Sequence, residues 1–109
     1  MKTISLDEFQ NVALRVGKVL SAERIENSEK LIRLLVDAGE EIPRQIIAGI
    51  GKAYAPDQLI GKTVIIVANL EPKQLMGLES RGMLLAASED GVPVLLGLDR
   101  DVSPGITIR

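Results

Sequence analysis

The chain reads as an all-β barrel on three observations. Its apolar residues fall in short runs of period two or of β-branched aliphatics. Turn residues interrupt those runs roughly every 8–12 positions, and one short helical segment lies midway. Its 109 residues make a single domain, 1–109, because a domain takes about 100–200 residues. A domain of this size buries roughly 65% of its unfolded surface, enough for a core without metal or disulfide.

The N-terminal segment opens with Ser5 followed three residues later by Glu8, a capping box that predicts a helical turn over Leu6 to Gln10 with Phe9 as its apolar anchor. From Val12 the period becomes two, with Val12, Leu14 and Val16 on one face. After Gly17 the alternation slips, with Val19 and Leu20 adjacent and apolar, and a bulge or bend is expected there, so that one long strand serves two sides of the sheet. Glu26 to Glu29 is a turn. Leu31 to Ala38 is the second strand, Gly39-Glu40-Glu41 a turn, and Arg44 to Ile50 the third strand. Tyr54 to Leu59 suits a short helix with Pro56 in its first turn and Gly61 as its stop. Lys62 to Ala68 is β-branched and apolar on both faces, as a buried fourth strand requires.

Asn69 to Arg81 carries turn and polar residues. Met83 to Ser88 and Val92 to Leu98 flank Asp90-Gly91, a hairpin tip. Ser103-Pro104-Gly105 turns the chain into a final stretch, Ile106 to Arg109. A helix between the third and fourth strands of a five-stranded barrel is the arrangement of the OB fold, here with extra C-terminal strands.

The absences narrow the chemistry. With no histidine and no cysteine, the chain has no imidazole base, thiolate nucleophile or thiolate metal site, and no catalytic constellation, metal or cofactor is expected. Gly61-Lys62-Thr63 looks like the end of a phosphate-binding loop, but Pro56 stands where its first glycine belongs and a strand follows instead of a helix. No apolar run approaches the ~20 residues that span a bilayer, and a cytoplasmic setting without membrane contact is expected.

The formal charge is −2, so attraction to nucleic acid has to be local. Arg24, Lys30, Arg33 and Arg44 fall on or beside the first three strands, the part of an OB barrel that commonly grips oligonucleotides, and Lys52, Lys73 and Arg81 fall near later loops. Phe9 and Tyr54 are the only aromatic residues. Stacking of splayed bases on rings is therefore not available, and recognition of backbone shape is the expected mode.

The stretch Asn69-Leu70-Glu71-Pro72-Lys73-Gln74-Leu75-Met76-Gly77-Leu78-Glu79-Ser80-Arg81-Gly82-Met83 resembles the tRNA-binding domain family. That family includes the C-terminal or beta-subunit domain of methionyl-tRNA synthetase and stand-alone structure-specific tRNA-binding proteins. Leu14 to Val19, Asn27 to Leu31, Arg44 to Ile50 and Leu59 to Val64 agree with it in order. The resemblance implies an OB barrel that binds tRNA by its overall shape and forms a homodimer through its terminal segments.

The resemblance also places Ser80, Gly82 and Met83 on the border of the binding surface, with Asn69 and Lys73 ahead of them, and makes Lys30 the basic residue of the loop before the second strand. With the cations read above, the candidate tRNA-binding set is Lys30, Arg33, Arg44, Asn69, Lys73, Ser80, Arg81 and Met83. Ser80 is read as a donor to a phosphate oxygen or as a turn residue, and Met83 as core or as RNA contact. The expected function is a non-catalytic tRNA-binding module, alone or beside a methionyl-tRNA synthetase catalytic body. The alternative is a homodimerisation or peptide-interaction module, similar to a secretion chaperone, with weak RNA affinity.

Overall fold

A computed structural model describes residues 1–109. The long first strand, β1 (Leu14–Arg24), is the axis of the fold. Its first half pairs antiparallel with β4 (Thr63–Val67) and its second half with β2 (Ile32–Asp37), so Lys18 sits opposite both Thr63 and Asp37. β2 continues antiparallel to β3 (Arg44–Ala48). The helix between β3 and β4, α2 (Pro56–Leu59), follows the expected order. Beyond β4 lies the short β7 (Met83–Leu84). The result is a nearly closed five-stranded barrel of OB type, as expected.

Period two makes the interior. Ile32, Leu34 and Val36 of β2 are fully buried while Arg33, Leu35 and Asp37 are half-buried on the outer face. Val19, Ile46, Val64 and Ile66 complete the core from the other strands, and Leu59 of α2 is buried beside them. Each such aliphatic contributes about 1.5–3 kcal/mol by leaving water. Ahead of α2, the Gln58 side chain accepts a hydrogen bond from the Ala55 N–H at 2.8 Å.

The irregularity in β1 lies between Val19 and Ser21, at the slip expected after Gly17; Leu20 is the extra residue. Val19 instead bonds across to the start of β4, donating to the Lys62 carbonyl and accepting from the Gly61 N–H. Gly17 is required for another reason, since a Cβ there would lie 2.6 Å from Cγ1 of Val36. The strand needs glycine so that the stiff Val36 side chain can cross the barrel.

The N-terminal turn α1 (Leu6–Gln10) carries the expected capping box, Ser5 Oγ accepting from the Glu8 N–H and Glu8 Oε1 from the Ser5 N–H. It buries none of its residues, and Phe9 is exposed instead of anchored in the core. The C-terminal expectation is also refined. Met83 to Ser88 breaks into β7 and β8 (Ala86–Glu89), and β8 pairs with β9 (Val92–Leu95) through Asp90-Gly91, both at positive φ. The final β10 (Thr107–Ile108) pairs with the start of β1. The Tyr54 hydroxyl accepts from the Leu95 N–H at 3.1 Å and ties the β8–β9 hairpin to the barrel. No helix is long and apolar enough to cross a membrane.

The tight passage at Gly17 gives a direct test. Gly17→Ala forces its methyl against Val36, and overpacking of this kind costs about 1–3 kcal/mol. Urea unfolding should show that loss, and a second substitution, Val36→Ala, should recover part of it.

Candidate nucleic-acid interface

Asn69 to Arg81, read from sequence as turn and polar residues, contains a second hairpin. β5 (Lys73–Leu75) pairs with β6 (Leu78–Ser80) across Met76 and Gly77, at φ 49° and 78°. Two successive left-handed residues are the type I′ geometry that matches strand twist. The register sets Lys73 opposite Ser80 and Leu75 opposite Leu78, so these four side chains share one face of the hairpin. That face turns towards β3: Ser80 is buried and Leu75 and Leu78 half-buried, while Gln74 and Glu79 face water.

A row of polar contacts holds the hairpin there in place of a full ladder. The Ile47 N–H donates to Ser80 Oγ at 2.9 Å, and the Ser80 hydroxyl donates to the Gly82 carbonyl at 3.3 Å. The Arg81 N–H donates to the Gln45 carbonyl at 2.8 Å, and Gln45 Nε2 donates to the Glu79 carbonyl at 2.9 Å. Arg44 spans the end of this seam, donating from Nη1 to the carbonyls of Ala68 at 2.7 Å and Arg81 at 3.0 Å. Its remaining donors, Nε and Nη2, fork onto the two oxygens of Glu40 at 2.6 and 2.9 Å.

That fork shifts both groups. Its hydrogen bond holds the Glu40 carboxyl below the usual range, opposed by desolvation and reinforced by the nearby charges of Arg44, Arg81 and Arg15. The same bond raises the Arg44 guanidinium above its ordinary value.

Between the seam and the end of β4 opens a groove of about 640 Å³, lined by Ile47, Asn69, Leu70, Glu71, Lys73, Leu75, Ser80, Gly82 and Met83. Four of the eight candidate residues meet here: Asn69, Lys73, Ser80 and Met83. Lys73 is exposed and has no ion-pair partner. Met83, open between core and surface in the sequence, is exposed. Asn69 shapes the rim, its Oδ1 accepting from the Ala13 N–H and its Nδ2 donating to the Asn11 carbonyl. Ser80 is only 4% exposed, with both hydroxyl functions used inside the protein, so it positions the groove wall and does not present a free donor.

The other four lie apart. Arg44 and Arg81 flank a neighbouring depression with Glu40 and Glu41, and Arg81 reaches Glu79 only at 3.8 Å. Arg33 is held by Glu23 at 2.6 Å and by Gln45 Oε1 at 2.6 Å, in a separate depression beside Met76 and Leu78. Lys30 lies along Gly49, exposed, in the loop before β2. Ile47, Leu70, Glu71 and Leu75 were not among the candidates. The alternation Lys73-Leu75 and Leu78-Ser80 around Met76-Gly77 is the signal that points to Leu75; nothing local points to Ile47.

Two tests follow from the seam. Ser80→Ala strands the buried Ile47 N–H, which should cost about 1–3 kcal/mol in denaturant unfolding and speed hydrogen exchange at that amide. The Glu40 contribution has a fixed sign in pH. A carboxyl lowered in the folded state stabilises fully above its unfolded value, about 4.3, and that contribution fades as pH falls through the lower folded one. The stability gap between the protein and Glu40→Gln should therefore be constant near neutrality and shrink below about pH 4.

Comparison with known proteins fits this geometry. Residues 14–107 match the sequence profile of the family described as "Putative tRNA binding domain". A methionine–tRNA ligase of Methanothrix thermoacetophila is 56% identical over 106 residues, which is 97% of this chain and 16% of the ligase. The chain thus spans about one sixth of the length of that curated relative. Among solved structures, a MetRS-related protein from Pyrococcus horikoshii is 41% identical, with a TM-score of 0.93 and 100% of both chains covered. The chaperone CsaA of Bacillus anthracis is 33% identical, with a TM-score of 0.89, covering 99% of this chain and 100% of its own.

Proposed function

The chain belongs to the tRNA-binding domain family, and from that membership we propose that it acts as a non-catalytic, structure-specific module for tRNA. The observation that carries this reading is the groove, where Lys73, Met83 and Asn69 come together on a wall fixed by Ser80. Lys73 and Lys30 supply charge to phosphates, and Arg81, paired only loosely, swings to add a third contact. Arg33 and Arg44 act through the scaffold, since their donors are already engaged with Glu23, Gln45, Glu40 and backbone carbonyls. Phosphate contacts of this kind position RNA without reading its sequence.

The module works as a homodimer, a single domain per subunit, either alone or beside a methionyl-tRNA synthetase catalytic body in the cytoplasm. Support for the dimer comes from apolar surface left in water on α1 (Leu6, Phe9) and on the β8–β9 hairpin (Val92, Val94, with Leu96 beyond it). A two-stranded hairpin is marginal by itself and gains stability when its apolar face is covered. Two grooves on one rigid body raise avidity by ~10²–10⁴ when both engage one ligand.

Fluorescence titration with bulk tRNA across a salt series tests the reading. Affinity should fall steeply with salt and differ little between tRNA species. Lys73→Ala should weaken binding for all species alike and flatten the slope of log K against log salt by about 0.7–0.9. Absence of tRNA binding at low salt would refute the proposal.

A further inference from the structure

The groove has a chemistry that phosphate binding alone does not require. Its wall and floor include Ile47, Leu70, Leu75 and Met83, and Leu70 and Met83 keep 47% and 48% of their surface in water. Contacts to an RNA backbone use cations, hydroxyls and amides, and uncovered aliphatic side chains add nothing to them. The volume of about 640 Å³ falls within the roughly 300–1,000 Å³ typical of sites that enclose a small ligand. At the rim stand two charges of opposite sign, Lys73 and Glu71, neither in an ion pair.

Resting on the reading of the chain as a tRNA-binding module, we infer that this groove receives one unpaired nucleotide extruded from the folded RNA. A nucleotide matches the lining from end to end. Its phosphate meets the Lys73 ammonium. Its flat base lies against Met83, Leu70 and Leu75. The N–H donors that every base carries on its pairing edge face the Glu71 carboxylate, an acceptor. Methionine and leucine serve against bases where no aromatic ring is present, as they do when apolar side chains wedge between base steps. The flexible, polarizable thioether of Met83 adapts to purine and pyrimidine alike. Because every base offers an apolar face, the grip selects an unstacked nucleotide without selecting its letter.

The test uses RNA hairpins that differ at one bulged position, which carries either a base or an abasic sugar. Both forms keep the phosphate charge and the interruption of the helix. The protein should bind the base-bearing hairpin about five- to tenfold more tightly. Met83→Ala should remove most of that difference, bringing the ratio of the two affinities close to one. Leu70→Ala, also at an exposed position, provides a second variant should the first perturb folding. Equal affinity of the unaltered protein for both hairpins would overturn the inference, as would a difference that survives both substitutions. So would an apolar peptide that fills the groove while the bulged RNA stays bound at full strength, which would assign the groove to peptides. Bulk tRNA binding measured in the same preparation separates the two levels. If tRNA binds and the hairpins are not distinguished, only the nucleotide inference falls; if tRNA does not bind, the underlying function falls with it.

Discussion

The hydrogen bond from the Ile47 N–H to Ser80 Oγ is the constraint on which the rest of the site depends. An OB barrel needs its third strand joined to the strand beyond the fourth, and here that junction lacks a continuous backbone ladder. A buried hydroxyl, the Gln45 amide and the Arg44 fork fill the gap. Each bond contributes only about 0.5–1.5 kcal/mol net, but an unmade one in a buried seam costs more than a made one contributes. The seam thus fixes where the β5–β6 hairpin lies, and the hairpin in turn makes one wall of the groove.

Cations divide into two populations by the same logic. Arginine, with a planar fork of donors, is suited to holding several acceptors at once. Arg33, Arg44 and Arg24 do this, spanning carboxylates and carbonyls on separate segments. The free charges are mostly lysines, Lys30 and Lys73 among them, on flexible stems at the surface. With a formal net charge of −2, attraction to a polyanion has to come from local unpaired cations, of which Lys73 is the one that lines the groove. The exposed apolar residues divide in the same way, some lining the groove and others lying on α1 and the β8–β9 hairpin.

The barrel strands are legible because alternation and burial coincide: Ile32, Leu34 and Val36 point inward at the spacing that the sequence displays. The β5–β6 hairpin is not, since its strands have three residues each and its turn is Met76-Gly77, without the asparagine or aspartate that marks such turns. The bend in β1 is legible from the adjacent apolar pair Val19 and Leu20, but the reason for Gly17 is not, because Val36, which requires that glycine, is nineteen residues away in the chain. Phe9 looks like an anchor because α1 has one aromatic residue, yet nothing covers that turn. Within the site, the segment from Asn69 to Met83 stands out through its resemblance to a family. The engagement of Arg33, Arg44 and Ser80 inside the protein does not, because their partners, such as Gln45, Ala68 and Ile47, are distant in sequence and local pattern holds no trace of them.

RNA is expected to lie on the surface framed by the seam. Amide chemical shifts of the isotopically labelled protein, followed as tRNA is added, test it most directly. The largest changes are expected at Leu70, Lys73, Leu75 and Met83, with Val92 to Leu95 undisturbed. Changes concentrated on the β8–β9 hairpin or on α1, with the groove amides unmoved, would contradict it.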